Sequence, residues 1–187
     1  MIIALTGTPG TGKTYIAKKL AKELGFTYLD LNALIKKERL YESYDRKAKT
    51  YDVDEKKLRA FMRELLKPFA YDISDPIQEQ VLDACHEYTS LTAKQLLNLL
   101  CFKRAAKSSA SHSIHQKHNI IIDSHLSHLC NCDICFVVKT DIAVLRKRLK
   151  LRKYSAQKIQ DNIVSEIFDV CLEETRQLGR VHIIVHN

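Results

Sequence analysis

Eight residues near the N-terminus, GTPGTGKT from Gly7 to Thr14, constrain this chain more than any other feature. They fit GxxxxGK followed by Ser or Thr. They also lie between a short apolar strand, Met1 to Thr6, and a helix expected from about Gly12 to Leu24 and stopped by Gly25. In that setting the pattern is a phosphate-binding loop. Gly7, Gly10 and Gly12 let the backbone curl so that successive N–H groups face phosphate oxygens. The helix that starts there adds the positive end of its dipole. Lys13 is placed to reach the β- and γ-phosphates of a nucleotide, and Thr14 to offer its hydroxyl to Mg²⁺.

The rest of the chain alternates strands with helices. Phe26 to Leu31 reads as a second strand, with helix signals around Asn32 to Arg39 and then a tyrosine-rich loop. Asp54 is placed to cap EKKLRAFMRELL, which Pro68 ends. Between Lys67 and Asn119 the pattern weakens. Asp75-Pro76 is a candidate start for a helix through Tyr88, and Thr92 a candidate cap for one through Arg104. KSSASHSIHQKHN then reads as a polar loop carrying His112, His115 and His118, weak evidence for a metal. IIID and ICFVVK are buried strands, and Asp141 to Lys150 is helical. Ser155 opens a long amphipathic helix with Ile159, Ile163, Ile167 and Val170 on its stripe, ended by Gly179, before a last strand, VHIIVH. Such alternation implies an α/β fold with a parallel sheet covered on both faces.

Bulk composition narrows the setting. A chain of 187 residues with 45% hydrophobic residues suits one α/β domain with room for an insertion. No apolar run approaches a membrane span, and MIIALTGTPG carries no basic leader, which points to the cytoplasm, or to the nucleus for a eukaryotic source. The net charge of +8 suits a phosphate-bearing partner, RNA among them, but serves equally to line a nucleotide pocket and solvate helix faces. Six cysteines in such a chain read as thiols. Cys130, Cys132 and Cys135, with His125 and His128 upstream, have a spacing open to a zinc knuckle. However, Cys135 sits in the apolar run ICFVVK and there is no second CxxC pair, so no zinc is expected.

A phosphate-binding loop needs an acid at the end of a neighbouring strand to hold Mg²⁺, directly or through water. Asp123, after Ile120 to Ile122, is the acid that follows such a run; its bland alternative is a turn cap. His125 would point to the same side of an extended chain, either to position a water or substrate or as a structural histidine. Arg148 and Arg152 share a helix face and could neutralise a transferring phosphoryl group. Arg146, Lys147, Lys150 and Lys153 crowd the same segment, so a solvated basic face is the competing reading.

With GTPGTGKT, DSHLSH, and RLKLRKY followed by DNIVSEI in view, the chain resembles the adenylate-kinase-like NTPases of the CINAP type. The likeness covers Met1 to about Arg63 and Ile120 to His186; its most specific element is an acid followed by x-His, here Asp123-Ser124-His125. The resemblance implies a P-loop NTPase with the adenylate kinase fold: a five-stranded parallel sheet flanked by helices. In this chain it would form a single kinase domain over 1–187, with an NMP-binding region at 30–53, a lid at about 151–161 and an unusual helical or loop insertion at 65–119. It puts Gly10, Gly12, Lys13, Thr14 and Tyr15 on the ATP loop, Arg152 against ATP, and Asp30, Asn32 and Lys36 in the NMP region, with Lys36 as the cation for the monophosphate. It implies adenylate kinase activity, from ATP with Mg²⁺ to AMP or another NMP, together with ATPase activity. It also implies a part in small ribosomal subunit maturation and rRNA processing, through a platform protein of that subunit with pre-rRNA nearby. An ATPase whose hydrolysis drives release from that partner is the alternative reading. The chain departs from the family at Tyr15, where a second Thr is usual, over Leu65 to Asn119, and after VHIIVH, where relatives add a turn and a helix near the adenine.

Overall fold

The computed structural model describes residues 1–46, 49–69, 89–105 and 119–187. In chain order the described elements begin with β1 (Ile2–Thr6), α1 (Lys13–Leu24), β2 (Thr27–Asp30), α2 (Leu31–Lys37), β3 (Tyr41–Asp45), β4 (Thr50–Val53) and α3 (Glu55–Leu66). They continue with β5 (Ser90–Thr92), α4 (Ala93–Ala105), β6 (Ile120–Asp123), β7 (Ile134–Lys139), α5 (Ile142–Leu151), α6 (Ala156–Ile167), α7 (Val170–Gln177) and β8 (His182–His186). The helix expected between Asp75 and Tyr88 and the histidines at 112, 115 and 118 lie outside the described residues.

Strands β1, β6 and β7 are apolar on both faces, so the sheet they form must be covered on both sides. Among the described residues six strands pair in the order β2-β6-β1-β7-β8-β5, every pair parallel. On one face Ile3, Leu5, Ile121, Phe136 and Val138 pack under α1 (Ile16, Leu20) and α4 (Leu96, Leu100). On the other, Ile2, Ile120 and Ile122 pack against α2 and α3 through Leu31, Ile35, Leu58 and Met62, while Ala4, Cys135 and Val137 pack against Leu172 of α7.

Three features differ from the sequence reading. The sheet has six strands, not five, because the stretch read as an insertion supplies the edge strand β5, in register with β8 (Leu91↔Val185). Ser90-Leu91-Thr92 is too short to show a period of two, and only Leu91 is buried. Second, the segment expected as a loop after α2 is an antiparallel hairpin, β3 with β4, held by Tyr51 against Tyr41 and Tyr44 with ring centroids 4.6 Å apart in both pairs.

Third, the helix expected from Ser155 to Gly179 is two helices, broken at Asp169, which is left-handed at φ 54°. Asp tolerates that conformation, and its carboxylate pairs with Lys139. Buried Glu166 accepts the Thr140 N–H at 3.0 Å. Ile159 and Ile163 keep the apolar stripe, whereas Ile167 and Val170 are exposed.

Thr92 does cap α4. Its Oγ1 accepts the Gln95 N–H at 3.2 Å, and Gln95 Oε1 accepts the Thr92 N–H at 2.8 Å, a reciprocal capping box. Thr92→Ala should therefore lower the unfolding free energy by about 1 kcal/mol, read from urea denaturation.

Candidate nucleotide site

The site forms where the sheet's topology reverses. β1 lies between β6 and β7, and the loops leaving the C-terminal ends of β1 and β6 diverge to opposite sides, opening a crevice. The phosphate-binding loop fills the β1 side. Its first turn is closed by Thr11 Oγ1 donating to the Thr8 carbonyl at 3.0 Å. Gly7, at φ 133°, lies so close to β7 that a Cβ there would stand 2.3 Å from the Val138 carbonyl oxygen.

A cleft of 1240 Å³ runs from this loop to the β3–β4 hairpin. Gly10, Gly12, Lys13, Thr14, Tyr15, Asn32, Lys36, Asp123, His125 and Arg152 of the sequence-expected residues line it. Gly7, Asp30 and Arg148 do not. Gly7 lies beneath the loop. Asp30 caps α2, its Oδ1 accepting the Ala33 N–H at 3.0 Å. Arg148 sits behind the loop, donating to the carbonyls of Gly10 (3.3 Å) and Thr11 (3.0 Å), where Asn187 Nδ2 also donates to Thr11 at 2.6 Å. An arginine in that place faces loop carbonyls instead of a transferring phosphoryl group, and the sequence spacing alone could not tell the two apart.

Lys13 is buried and donates to the Thr8 carbonyl at 3.4 Å. Burial pushes its ammonium below the usual lysine value, with the Asp123 carboxylate opposing that shift. Asp123 is buried; its Oδ2 accepts the Tyr28 hydroxyl at 3.0 Å, and its Oδ1 has no hydrogen-bond partner. A buried carboxylate oxygen without a partner is costly unless a cation meets it. Asp123 and the exposed Thr14 hydroxyl thus fit an Mg²⁺ ion. Among the described residues no cluster of three or more His, Cys, Asp or Glu is arranged to hold a metal, so these two would hold the ion together with nucleotide phosphates.

His125 is half-buried in the cleft wall. The protein around it and the nearby Lys13 charge push its ring down to about 4, so the imidazole is neutral at pH 7. His128 is a buried neighbour. Thr6 Oγ1 donates to the His125 carbonyl at 3.0 Å and lies 2.8 Å from His128 Nδ1. The hydroxyl has one proton, so with both bonds made Nδ1 is the donor and Nε2 carries the lone pair. Nε2 faces the Glu174 carboxylate at 3.1 Å without hydrogen-bond alignment. Burial, then Arg59 and Arg180, outweigh that carboxylate and hold the ring down to about 4, while burial and Glu55 push the Glu174 carboxyl up.

Several lining residues carry no signal in a linear motif. Tyr51 projects from the hairpin with the Lys36 ammonium 5.3 Å from its ring centre. Lys158 of α6 donates to Thr50 Oγ1 at 2.7 Å and to the Lys49 carbonyl at 3.3 Å, joining α6 to the hairpin. Cys171 and Glu174 reach the cleft because the break at Asp169 turns α7 toward the loop. Of the motif thiols, Cys130 and Cys135 are buried, Cys135 within β7, and these two with Cys132 and Cys171 are free. No helix among the described residues is long and apolar enough to cross a membrane.

Loop, strand-end acid and flanking parallel strands define a P-loop nucleotide-binding protein. A family model described as an AAA domain matches residues 3–169. The "Putative adenylate kinase" of Methanocaldococcus jannaschii is 31% identical over 182 residues, covering 97% of this chain and 75% of that protein. Its namesake in Methanosarcina mazei is 33% identical over 175 residues, covering 93% and 72%. The "Adenylate kinase isoenzyme 6 homolog" of Schizosaccharomyces pombe is 29% identical over 186 residues, covering 98% and 78%. The chain belongs to this adenylate-kinase-like family of P-loop AAA-domain proteins. Among solved structures, deoxyadenosine kinase from M. mycoides with bound dATP has a TM-score of 0.42 at 15% identity, covering 100% of this chain and 91% of that one, a likeness too distant to carry a conclusion.

The depressed His128 value has a consequence for stability. Between about pH 6.5 and about pH 4 the unfolded chain binds a proton that the folded ring does not, so stability should fall as pH falls through that window. The slope should be shallower in His128→Gln, measured by urea denaturation at pH 7, 6 and 5.

Proposed function

We propose that this chain is an ATP:NMP phosphotransferase of the adenylate kinase type, transferring the γ-phosphoryl group of ATP to AMP, with accompanying ATPase activity. The observation that carries this reading is one continuous cleft lined by the phosphate-binding loop, by Asp123 with its unpartnered oxygen, and by Asn32 and Lys36 of α2.

An NMP phosphate is already ionised at neutral pH, so phosphoryl transfer needs alignment and charge neutralisation more than a strong base. The loop N–H groups and Lys13 hold the β- and γ-phosphates of ATP. Mg²⁺, held by Thr14 and Asp123, would supply charge neutralisation across those phosphates. Arg152 lines the same cleft and serves as the ATP-side cation; Tyr15 lies beside the loop. Lys36 receives the monophosphate, Asn32 lines its path, and Asp30 acts through the cap it gives α2. Arg148 acts on the loop from behind, by holding the Gly10 and Thr11 carbonyls. The hairpin and the start of α6 form the NMP region and lid, and their closure would exclude water. Within the stretch read as an insertion, β5 and α4 belong to the same kinase domain, β5 by pairing with β8.

A second reading is an ATPase acting in small ribosomal subunit maturation, with a ribosomal platform protein and pre-rRNA as neighbours and a cytoplasmic or nuclear setting. It is favoured by the neutral His125 in the cleft wall, suited to orient a water, and by the net charge of +8.

Turnover with Mg-ATP, with and without AMP and resolving ADP from free phosphate, separates the two. ADP formed from AMP without matching phosphate release supports the kinase, and phosphate release indifferent to AMP supports the ATPase. Lys13→Met should abolish both, and retained turnover in that variant would remove the phosphate-binding assignment. His125→Ala should reduce hydrolysis about a hundredfold or more while sparing phosphotransfer, since a positioned group that takes a proton from the attacking water contributes on that order; equal loss of both would refute the division.

A further inference from the structure

We infer that Tyr28 is a positioning residue for the magnesium-binding carboxylate, deciding which oxygen of Asp123 faces the metal. The inference rests on the phosphotransferase reading of the cleft and goes beyond it to a residue outside the cleft wall.

Two independent observations meet at Asp123. The Tyr28 hydroxyl donates to Oδ2 at 3.0 Å, and Oδ1 of the same carboxylate is buried without a partner. The backbone sets this up. β2 and β6 run parallel with Tyr28 opposite Ile121 and Asp30 opposite Asp123, so Tyr28 starts two residues behind the acid on the neighbouring strand. Side chains two apart share a sheet face, and a phenol spans the step that a shorter side chain would not. The ring is itself fixed: it packs against the core under α1, and the Lys18 ammonium lies 5.4 Å from its centre.

A carboxylate on a strand end can rotate about its last bond and share its oxygens among several donors. Tying Oδ2 to a phenol on a neighbouring strand stops that rotation and leaves Oδ1 as the oxygen without a donor. Carboxylates that bind metals are commonly hydrogen-bonded in this way, and removing the partner typically costs 10–100-fold in metal affinity. Tyr28 touches neither nucleotide nor metal, so its effect should appear in the magnesium requirement alone.

Tyr28→Phe removes the hydroxyl and keeps the ring packing. Thermal stabilisation by an ATP analogue with an uncleavable β–γ bridge, titrated with Mg²⁺, reads metal binding without turnover. The midpoint for Mg²⁺ should rise about tenfold in Tyr28→Phe. Binding of the analogue in EDTA should be unchanged, and Asp123→Asn should lack the Mg²⁺-dependent increment. An unchanged midpoint overturns the inference, as does equal weakening with and without Mg²⁺, which marks a general structural role. Absence of any Mg²⁺-dependent increment in the unsubstituted protein would instead remove the magnesium reading beneath it, and the inference with it.

Discussion

The close contact of the phosphate-binding loop with β7, the strand beside β1, is the constraint on which the rest depends. Gly7 lies against the Val138 carbonyl with no room for a side chain, and its positive φ turns the chain out of β1. From there the loop must close within a few residues to start α1 at Lys13. Both faces of the loop are then committed. Gly10, Gly12, Lys13 and Thr14 line the cleft, while the Gly10 and Thr11 carbonyls need partners behind, and Arg148 and Asn187 provide them.

The acidic side of the site follows from the sheet pairing. Parallel register between β1 and β6 sets Leu5 opposite Asp123, so the acid emerges level with the start of the loop. Being buried there, it must find polar partners, and the chain gives it one and leaves one oxygen open. Lys13 lies in the same low-dielectric setting, which weakens its hold on a proton and strengthens any contact it makes with an anion. The two histidines nearby are kept neutral by the same burial. Lys13 and Asp123 are the charged side chains buried beside the loop, and the rest of the cleft is lined by cations (Arg152, Lys36, Lys49, Lys158) and carboxylates (Asp45, Asp52, Asp161, Glu174) together.

Much of this was legible in the linear chain. Motifs whose chemistry depends on adjacent residues, such as Gly7 to Thr14, Asp123-Ser124-His125 and the Thr92 cap, carry their own local geometry. Buried strands such as Ile120 to Asp123 announce themselves by unbroken apolar runs. Elements failed to show where local pattern was too short or was overridden. β5 has three residues and borrows its order from β8. The β3–β4 hairpin is polar on its exposed positions and is held by tyrosines that meet only when it folds. The apolar period after Ser155 holds through Ile163 and fails at Ile167 and Val170, where the pairing of Asp169 with Lys139 and the capture of the Thr140 N–H by Glu166 accompany the break.

By itself, then, the sequence determined a phosphate-binding loop, an α/β layering and an acid at a strand end, because each is specified by neighbours in the chain. The tertiary structure alone decided which side of the loop Arg148 serves, that Tyr28 fixes Asp123, and that α7 turns into the cleft. These depend on pairs such as Tyr28 with Asp123 and Thr11 with Arg148, far apart in the chain and joined by strand register and helix packing, for which no local pattern exists to be read.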